Sequence, residues 1–188
     1  MIPAIDDKIY TVDEYIQLDE TSDIRHEFIN GQLYDMSGNS DTHNEMVGNL
    51  YFLLRKLLSG SNNKIYFEQV KVKIQGEDYY TYPDVFITNH AVDLQNKYIK
   101  QFPVLIIEVL SNSTRKYDTI DKFIQYQKVE TLGYYVLVEP ELMYVNCFSK
   151  DDKGEWQSAI YNKPEDLVPL KILAIDLPLQ GIYNLTIV

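Results

Sequence analysis

The chain has 188 residues, 45% of them hydrophobic and 24% charged, with a formal net charge of −11 at pH 7. We predict one soluble domain over residues 1–188, because this length can bury a sizeable core. The single cysteine, Cys147, excludes an internal disulfide framework and a cysteine zinc cluster. No apolar run reaches the roughly 18 residues of a transmembrane helix, so we expect a cytoplasmic protein without membrane contact. The acidic balance argues against tight nonspecific binding to a nucleic-acid duplex.

Local signals in the first third of the chain predict a helix, a hairpin and a longer helix. Thr11 and Glu14 form a capping-box pattern, which predicts a short helix through about Leu18. The dipeptide Asn30-Gly31 predicts a β-hairpin turn. An amphipathic helix is predicted over residues 42–59, because its apolar residues recur on one face. That face consists of Val47, Leu50, Leu54, Leu57 and Leu58.

Three strands are predicted in the middle of the chain. Residues 65–74 alternate in hydrophobicity, but the alternation shifts near Gln69, which indicates one strand with a bulge. A second, apolar strand covers residues 85–87. A polar connection over residues 89–101 leads to the third strand, residues 104–110. This strand is apolar except for one glutamate, which is typical of a strand buried on both faces.

The last third of the chain predicts a helix, a strand and a hairpin. Asp118 is the predicted N-cap of a helix through about Val129. A buried strand follows at residues 134–138, and a hairpin turns at residues 151–154. Residues 167–188 are expected to be irregular with one short strand. From the long helix onward the order is αβββαβ, which predicts an α/β fold with a mixed central sheet, an N-terminal helix and hairpin, and a C-terminal β extension.

Glu108 is the acidic residue of the third strand. An ionised carboxylate is costly in a buried strand unless a cation, a metal or hydrogen-bond donors contact it. Alternation places Glu108 on the same face as Ile106 and Leu110. Asp84 follows Pro83 at the start of the second strand, so both carboxylates reach one end of the sheet if the two strands are neighbours. Two carboxylates on neighbouring strands are suited to a divalent metal.

A metal site of this kind suits the hydrolysis of phosphodiester bonds. The metal activates water and neutralises charge on the scissile phosphate, while a lysine supports the nucleophile or the transition state. The sequence therefore predicts Asp84 and Glu108 as ligands of Mg²⁺ or Mn²⁺.

An acid after proline, followed by an apolar strand that carries glutamate, resembles the PD-(D/E)xK nuclease superfamily, whose core order is also αβββαβ. Within this superfamily the chain is similar to the Uma-two family, over about residues 10–180. The resemblance implies a restriction-endonuclease-like fold and a metal-dependent endonuclease that acts on nucleic acid, with DNA favoured over RNA. The motifs that carry it are Glu27 to Leu33, His43, Pro83-Asp84, Ile107 to Arg115, Asp118, Lys122, Tyr126 and Gly133 to Pro140.

The superfamily lysine is missing from its usual place, where this chain has Leu110. The resemblance implies that the lysine has moved to the following helix, and Lys122 is the candidate. Lys122 lies four residues after Asp118, so the two side chains share one helical face. Arg115 and Lys116, in the preceding connection, are the competing cations.

Other polar residues have two open interpretations. Glu108 can also be a structural carboxylate that pairs with Arg115 or with a backbone turn. His43, at the start of the long helix, either shapes the site or packs through a hydrogen bond. Glu27 is either a further metal or water ligand or a cross-strand charge partner. Lys71 and Lys73, which share one strand face, either line a phosphate groove or lie on an edge strand or solvent face.

Two further functions are compatible with the sequence. A catalytically inactive module of the same fold, used for binding or self-association, is favoured by the acidic balance and the 16 tyrosines. An enzyme for another substrate would use the two carboxylates as general acid and base. A homodimer is considered as well, since many nucleases of this fold pair to cut two strands.

Overall fold

The computed structural model describes residues 4–36, 38, 40–111 and 113–184. Its helices are α1 (Val12–Thr21), α2 (Asp41–Leu57), α3 (Ala91–Gln95), α4 (Phe123–Tyr126) and α5 (Leu179–Ile182), with a π-helical segment at Tyr117–Lys122 and a 3-10 turn at Lys171–Leu173. Its strands are β1 (His26–Ile29), β2 (Gln32–Asp35), β3 (Lys64–Phe67), β4 (Lys71–Lys73), β5 (Tyr79–Thr81), β6 (Val85–Thr88), β7 (Ile99–Lys100), β8 (Leu105–Val109), β9 (Tyr134–Val138), β10 (Val145–Lys150), β11 (Trp156–Tyr161), β12 (Leu167–Leu170) and β13 (Ile175–Pro178).

The larger sheet has six strands in the order β11-β10-β9-β8-β6-β3. Strands β8 and β9 pair in parallel, and the other neighbouring pairs are antiparallel. Along the chain, α2, β3, β6, β8, the π-helical segment with α4, and β9 occur in this order, with β4 and β5 inserted before β6 and α3 and β7 inserted after it. The predicted αβββαβ core with a mixed central sheet is therefore confirmed.

Different helices cover the two faces of this sheet. Ile107 of β8 belongs to the buried apolar cluster that includes α2. Ile106 and Leu110 belong to a second cluster with Tyr126 of α4. Side chains alternate along β8, so Glu108 lies on the face that carries α4, as predicted. The sheet thereby directs a carboxylate at the helical segment that follows it in the chain.

The smaller sheet has five strands in the order β2-β1-β5-β4-β7. Strands β1 and β2 form the predicted hairpin, in which Asn30 and Gly31 have φ angles of 49° and 88°. Gly31 suits this turn for a second reason: a Cβ there would lie 2.8 Å from Cγ2 of Ile9. Helix α1 packs on the sheet by stacking Tyr15 on Phe28, with ring centroids 4.9 Å apart.

The prediction of one bulged strand over residues 65–74 is wrong. Strands β3 and β4 are separate and belong to different sheets. The chain passes from one sheet to the other at residues 68–70, where Glu68 has a positive φ of 48°. The shift in hydrophobic alternation near Gln69 marks this change of sheet, because each strand faces its own core.

The prediction that Asp118 is a helix N-cap is also wrong, because the helical turns begin earlier. The backbone N–H of Thr114 donates to the Ser111 hydroxyl, at 3.2 Å, and the N–H of Asp118 donates to the Thr114 carbonyl, at 2.9 Å. Asp118 therefore lies inside the π-helical segment. Its side chain is free to meet Lys122 rather than to cap a helix.

Several boundaries differ from the predictions. Helix α1 has the predicted capping box at Thr11 but extends to Thr21. Helix α2 buries the predicted face except for Leu57, which is 38% exposed. The polar connection over residues 89–101 contains α3 and β7, and the C-terminal part forms the hairpin β12–β13 instead of a single strand.

Each helix of the described residues is too short or too polar to cross a membrane. The single domain over residues 1–188 and the cytoplasmic location stay predictions.

Candidate active site

A cavity of about 260 Å³ lies at the end of the larger sheet where β6 begins and β8 ends. The three residues predicted to form the reactive site, Asp84, Glu108 and Lys122, all line it. Glu27, from β1, and His43, from the first turn of α2, line it as well. Residues from both sheets and from two helices thus converge on one space.

Asp84 and Glu108 are held by two hydrogen bonds that cross between their neighbouring strands. Strands β6 and β8 are antiparallel, with Val85 opposite Ile107, so Asp84 falls beside Glu108. The backbone N–H of Asp84 donates to Oε2 of Glu108 at 3.2 Å, and the N–H of Val109 donates to Oδ2 of Asp84 at 2.7 Å. These bonds fix both carboxylates against the strand ends.

Lys122 lies among three carboxylates. Its Nζ is 3.2 Å from Oε1 of Glu108, 3.2 Å from Oε1 of Glu27 and 3.2 Å from Oδ1 of Asp118. Burial alone would lower the pKa of Lys122, but Glu108, Glu27 and Asp118 raise it well above the ordinary value. This shift in pKa keeps the amine protonated at neutral pH. Lys122 sits in a π-helical segment, a geometry that often occurs at functional sites.

Glu108 is almost completely buried, with 2% of its surface exposed. Burial raises its pKa well above the ordinary value; Lys122 opposes this shift, while Asp84 and other acids add to it. Its Oε1 accepts hydrogen bonds from Lys122 and from the Tyr126 hydroxyl, both at 3.2 Å. The Tyr126 hydroxyl also lies 2.8 Å from that of Thr81. The carboxylate is held by donors on all sides, yet its environment favours an additional cation.

Glu27 links the hairpin to the helical segment. Its Oε1 contacts Lys122 and accepts a hydrogen bond from the backbone N–H of Tyr82, at 3.3 Å. Its Oε2 accepts a hydrogen bond from the Tyr117 hydroxyl, at 3.1 Å, which in turn lies 2.7 Å from the Tyr79 hydroxyl. The expected charge partner of Glu27 is thus Lys122 on the helical segment, not a residue of a neighbouring strand.

His43 contacts the other side of Asp84. Its Nε2 lies 3.3 Å from Oδ1 of Asp84, although the two atoms are not aligned for a hydrogen bond. Burial lowers the pKa of His43, but the carboxylates of Asp84, Glu68 and Asp118 outweigh burial and raise it above the ordinary value. The imidazole thereby adds positive character beside a carboxylate that otherwise faces the cavity.

The competing cations lie elsewhere. Arg115 forms a paired contact with Glu139, in which its Nη2 donates to Oε1 at 2.9 Å, so the alternative of Glu108 paired with Arg115 is wrong. Lys116 is exposed and does not line the cavity. Lys71 is buried and bonds Asp19 at 2.8 Å. Its predicted place on an edge or solvent face is wrong, because β4 is paired on both sides by β5 and β7.

The chemistry of the cavity fits a divalent cation. Five carboxylates line it against one lysine and one histidine, which leaves an excess of negative charge. Within the described residues no group of three or more His, Cys, Asp or Glu side chains is arranged to hold a metal alone. Mg²⁺ usually keeps several waters and takes only one or two protein carboxylates together with substrate phosphate. Asp84 and Glu108 are the carboxylates that can supply these ligands.

Tyr79 and Tyr117 were not identified from the sequence as residues of the site. Tyr79 and Tyr117 carry no chemical signal of their own, and Tyr117 meets Glu27 across 90 positions of the chain. The face that the spacing of four residues predicts for Asp118 and Lys122 is found in the structure, where Nζ of Lys122 lies 3.2 Å from Oδ1 of Asp118.

The family model of Uma2, described as "Putative restriction endonuclease", matches residues 12–180. This chain belongs to the Uma2 family. It is 32% identical over 172 residues to the uncharacterized protein slr1290 of Synechocystis sp., which covers 92% of this chain and 90% of that protein. It is 30% identical over 157 residues to sll1609 of the same organism, covering 79% and 85%. The family resemblance inferred from the motifs is therefore confirmed.

The fold has a relative among solved structures. The crystal structure titled as that of a "putative nuclease belonging to DUF820" from Anabaena variabilis superposes with a TM-score of 0.77. The match covers 94% of this chain and 99% of that one, at 16% identity. At this identity the likeness establishes the shared fold.

Proposed function

We propose that this Uma2 protein is a metal-dependent nuclease that hydrolyses phosphodiester bonds of nucleic acid, with DNA favoured over RNA. The observation that carries the proposal is the position of Lys122, whose Nζ lies 3.2 Å from Glu108 although 14 positions separate them. The family's description as an endonuclease and the nuclease named in the structural relative's title support the same chemistry.

Asp84 and Glu108 would hold Mg²⁺ or Mn²⁺. A bound divalent ion would supply activation of water and neutralisation of charge on the scissile phosphate. Tyr126 orients the carboxylate of Glu108 through its hydroxyl. His43 contacts the carboxylate of Asp84 from the opposite side. The protein's part is thus to keep both carboxylates pointing into one cavity.

Lys122 would act as a fixed positive charge. Its raised pKa keeps the amine protonated, so it is a poor general base. A protonated amine beside the cavity can orient the attacking water and stabilise the charge that develops on the phosphate oxygens. Water attacks phosphorus and loses a proton to bulk water, the bond from phosphorus to the leaving oxygen breaks, and that oxygen takes a proton from bulk water, so one water is consumed for each bond cut.

A second candidate is a catalytically inactive module for binding or self-association. It is favoured by the net charge of −11 and by the donors that already occupy both oxygens of Glu108. A protein of this kind would keep the fold and the ion pairs without a functional metal. The homodimer stays a prediction under either function.

The test is cleavage of single-stranded, duplex and branched DNA, and of RNA, with Mg²⁺, Mn²⁺ or EDTA. We expect cleavage only with metal, and a loss of about 100-fold or more in Asp84→Asn. Calorimetry should show metal binding that Asp84→Asn weakens, whereas the matched variant Asp176→Asn, exposed on β13, should bind and cleave like the parent protein. A folded protein that neither binds metal nor cuts any substrate would establish the inactive module instead.

A further inference from the structure

A second cavity, of about 170 Å³, adjoins the cavity that Asp84, Glu108 and Lys122 line, which is called the reactive cavity below. The two share Glu27, Tyr34 and Tyr117. Since one water requires about 10–15 Å³ of such space, this cavity accommodates a ligand of roughly ten non-hydrogen atoms, the size of a nucleobase. The residues that line the second cavity alone are Ile29, Tyr79, Asp121 and Gln125.

The π-helical segment and α4 together contribute side chains to both cavities, in two adjacent rows. Asp118 and Lys122 form part of the row that faces Glu108. Tyr117, Asp121 and Gln125, shifted by one residue, form a second row that lines the second cavity. Residues four apart in a helix share a face, so the two rows lie side by side. Whatever enters the second cavity is held next to the group that occupies the first.

The walls of the second cavity present aromatic carbon. Tyr117 and Tyr79 share a hydrogen bond through their hydroxyls at 2.7 Å, and the Tyr34 hydroxyl donates to Gln32 at 3.0 Å. Since these hydroxyls are already engaged, the rings contribute mainly apolar, stackable surface. Ile29 adds an aliphatic contact. Such walls suit a flat, unsaturated ligand.

Two polar groups of the cavity are uncommitted. Among the residues that the structure describes, the side chains of Asp121 and Gln125 make no hydrogen bond or ion pair, and each is exposed or half-exposed. An ionised aspartate only accepts hydrogen bonds, whereas a glutamine amide both donates and accepts. The matching ligand therefore carries a donor such as an exocyclic amine next to an acceptor.

We propose that this cavity is a subsite for one unpaired nucleobase of the strand that is cut, with Asp121 and Gln125 as the residues that select it. The inference rests on the proposed nuclease function, because the phosphate of the same nucleotide would lie in the reactive cavity. Enzymes that read an extruded base stack it on aromatic side chains and hydrogen-bond its Watson–Crick edge. Asp121 favours bases with an amino group, such as adenine, over thymine, which presents carbonyl oxygens.

The test uses the wild-type protein with Ca²⁺, which takes the same oxygen ligands as Mg²⁺. The probes are three fluorescein-labelled oligonucleotides that are abasic throughout except at the central nucleotide, which is adenine, thymine or abasic. Fluorescence anisotropy should show adenine binding about 10-fold more tightly than the fully abasic strand, which is the usual gain from stacking one base. Thymine should fall between them.

The variants locate the effect in this cavity. Asp121→Asn and Gln125→Ala should each reduce the preference for adenine and leave binding of the fully abasic strand unchanged. Both positions are at least partly exposed, so neither variant endangers folding. Gln127→Ala, exposed in the next turn and outside both cavities, is the matched control.

Each remaining outcome would overturn the inference in a distinct way. Equal binding of the three probes would exclude a base subsite while leaving backbone binding, and with it the nuclease, intact. An adenine preference that persists in both variants would place base recognition elsewhere. If no probe binds, the nuclease function fails together with the subsite.

Discussion

Two buried charge clusters stand side by side in this protein, and only one of them has the features of a reactive site. The first joins Lys122 to Glu27, Glu108 and Asp118. The second joins Lys71 to Asp19 beneath helix α1. Both contain a buried lysine with carboxylate contacts near 3 Å, so burial and pairing alone do not distinguish them.

The clusters differ in charge balance. In the second cluster one carboxylate meets one lysine, and Asp19 also accepts hydrogen bonds from the Tyr82 hydroxyl at 2.5 Å and the His26 backbone N–H at 3.1 Å. Neither Asp19 nor Lys71 lines the cavity beside Lys122. In the first cluster three carboxylates share one lysine beside a cavity of about 260 Å³.

The charge balance of a buried cluster and the space beside it distinguish a structural cluster from a reactive one. A balanced, saturated cluster needs nothing more and can be structural, whereas an unbalanced cluster beside open space is incomplete without a cation or substrate. The functional interpretation therefore depends on the excess of acids around Lys122. Variants that alter one cluster at a time test it.

Loss of the lysine should have the largest effect. In Lys122→Met, three buried carboxylates lose their common cation, so we expect the free energy of unfolding to fall by about 3–5 kcal/mol. Cleavage should also fall by about 100-fold or more, since the positive charge at the site is gone. Urea denaturation and cleavage below the unfolding transition measure the two effects. Lys71→Met should also lose stability, but the folded variant should cleave at the rate of the parent protein. If folded Lys71→Met were inactive, the two clusters would not differ in function.

Neutralising Glu108 should separate activity from stability. The pKa of Glu108 is raised, chiefly by burial, so its ionised form is a cost in the metal-free fold. In Glu108→Gln we therefore expect unfolding free energy equal to or above that of the parent protein, while cleavage drops by about 100-fold or more. Parallel urea denaturation in EDTA and cleavage in Mg²⁺ check this. A large loss of stability with activity retained would make Glu108 a structural residue like Asp19.

Local signals in the sequence were enough to predict most of the fold. The capping box at Thr11 and the turn at Asn30-Gly31 each depend on neighbouring residues, and both are found in the structure. The division of residues 65–74 between two sheets was not predictable, because alternation shows which side chains share a face but not which sheet they face.

The site was predictable to the extent that its residues contradict their local setting. Glu108 and Asp84 stand out because acids are unexpected at buried strands, and Lys122 followed from the family motif. Asp19 and Lys71 do not stand out, since a charged residue in an amphipathic helix or short strand is ordinarily exposed. Their burial comes from the packing of α1 on the smaller sheet, which no local pattern encodes.

Asp19→Asn should have a smaller effect, confined to stability and dependent on pH. Burial raises the pKa of Asp19, but Lys71, Tyr82 and His26 outweigh it and hold the pKa below its ordinary value of 3.8. The stabilisation by ionised Asp19 is therefore present above pH 3.8 and is lost as pH falls through the folded pKa. We expect a loss of about 3 kcal/mol at neutral pH that shrinks toward low pH, with cleavage unchanged.

Glu108 should show the opposite slope. Its folded pKa lies above 4.5, so its contribution to stability is lost as pH rises from 4.5 through that folded pKa. Urea denaturation in EDTA between about pH 3 and 7 measures the free energy of unfolding. The amount by which this free energy is higher in the parent protein than in Asp19→Asn should grow with pH. The stability of Glu108→Gln relative to the parent should also grow with pH. If the free energies of unfolding of the two variants changed with pH in the same way, the clusters would not differ in charge balance.

The smallest effect is expected at Arg115, which tests whether a third charge pair belongs to the reactive site. The Arg115 side chain is 42% exposed, and its partner Glu139 can be rehydrated when the guanidinium is removed. Arg115→Ala should therefore lower the free energy of unfolding by about 1 kcal/mol or less and change cleavage by less than about threefold. Urea denaturation and a cleavage time course, with Lys116→Ala as the control, measure this. A loss of cleavage as large as that of Lys122→Met would mean that Arg115 supplies the positive charge at the phosphate, because a partly exposed arginine has no comparable role in the fold.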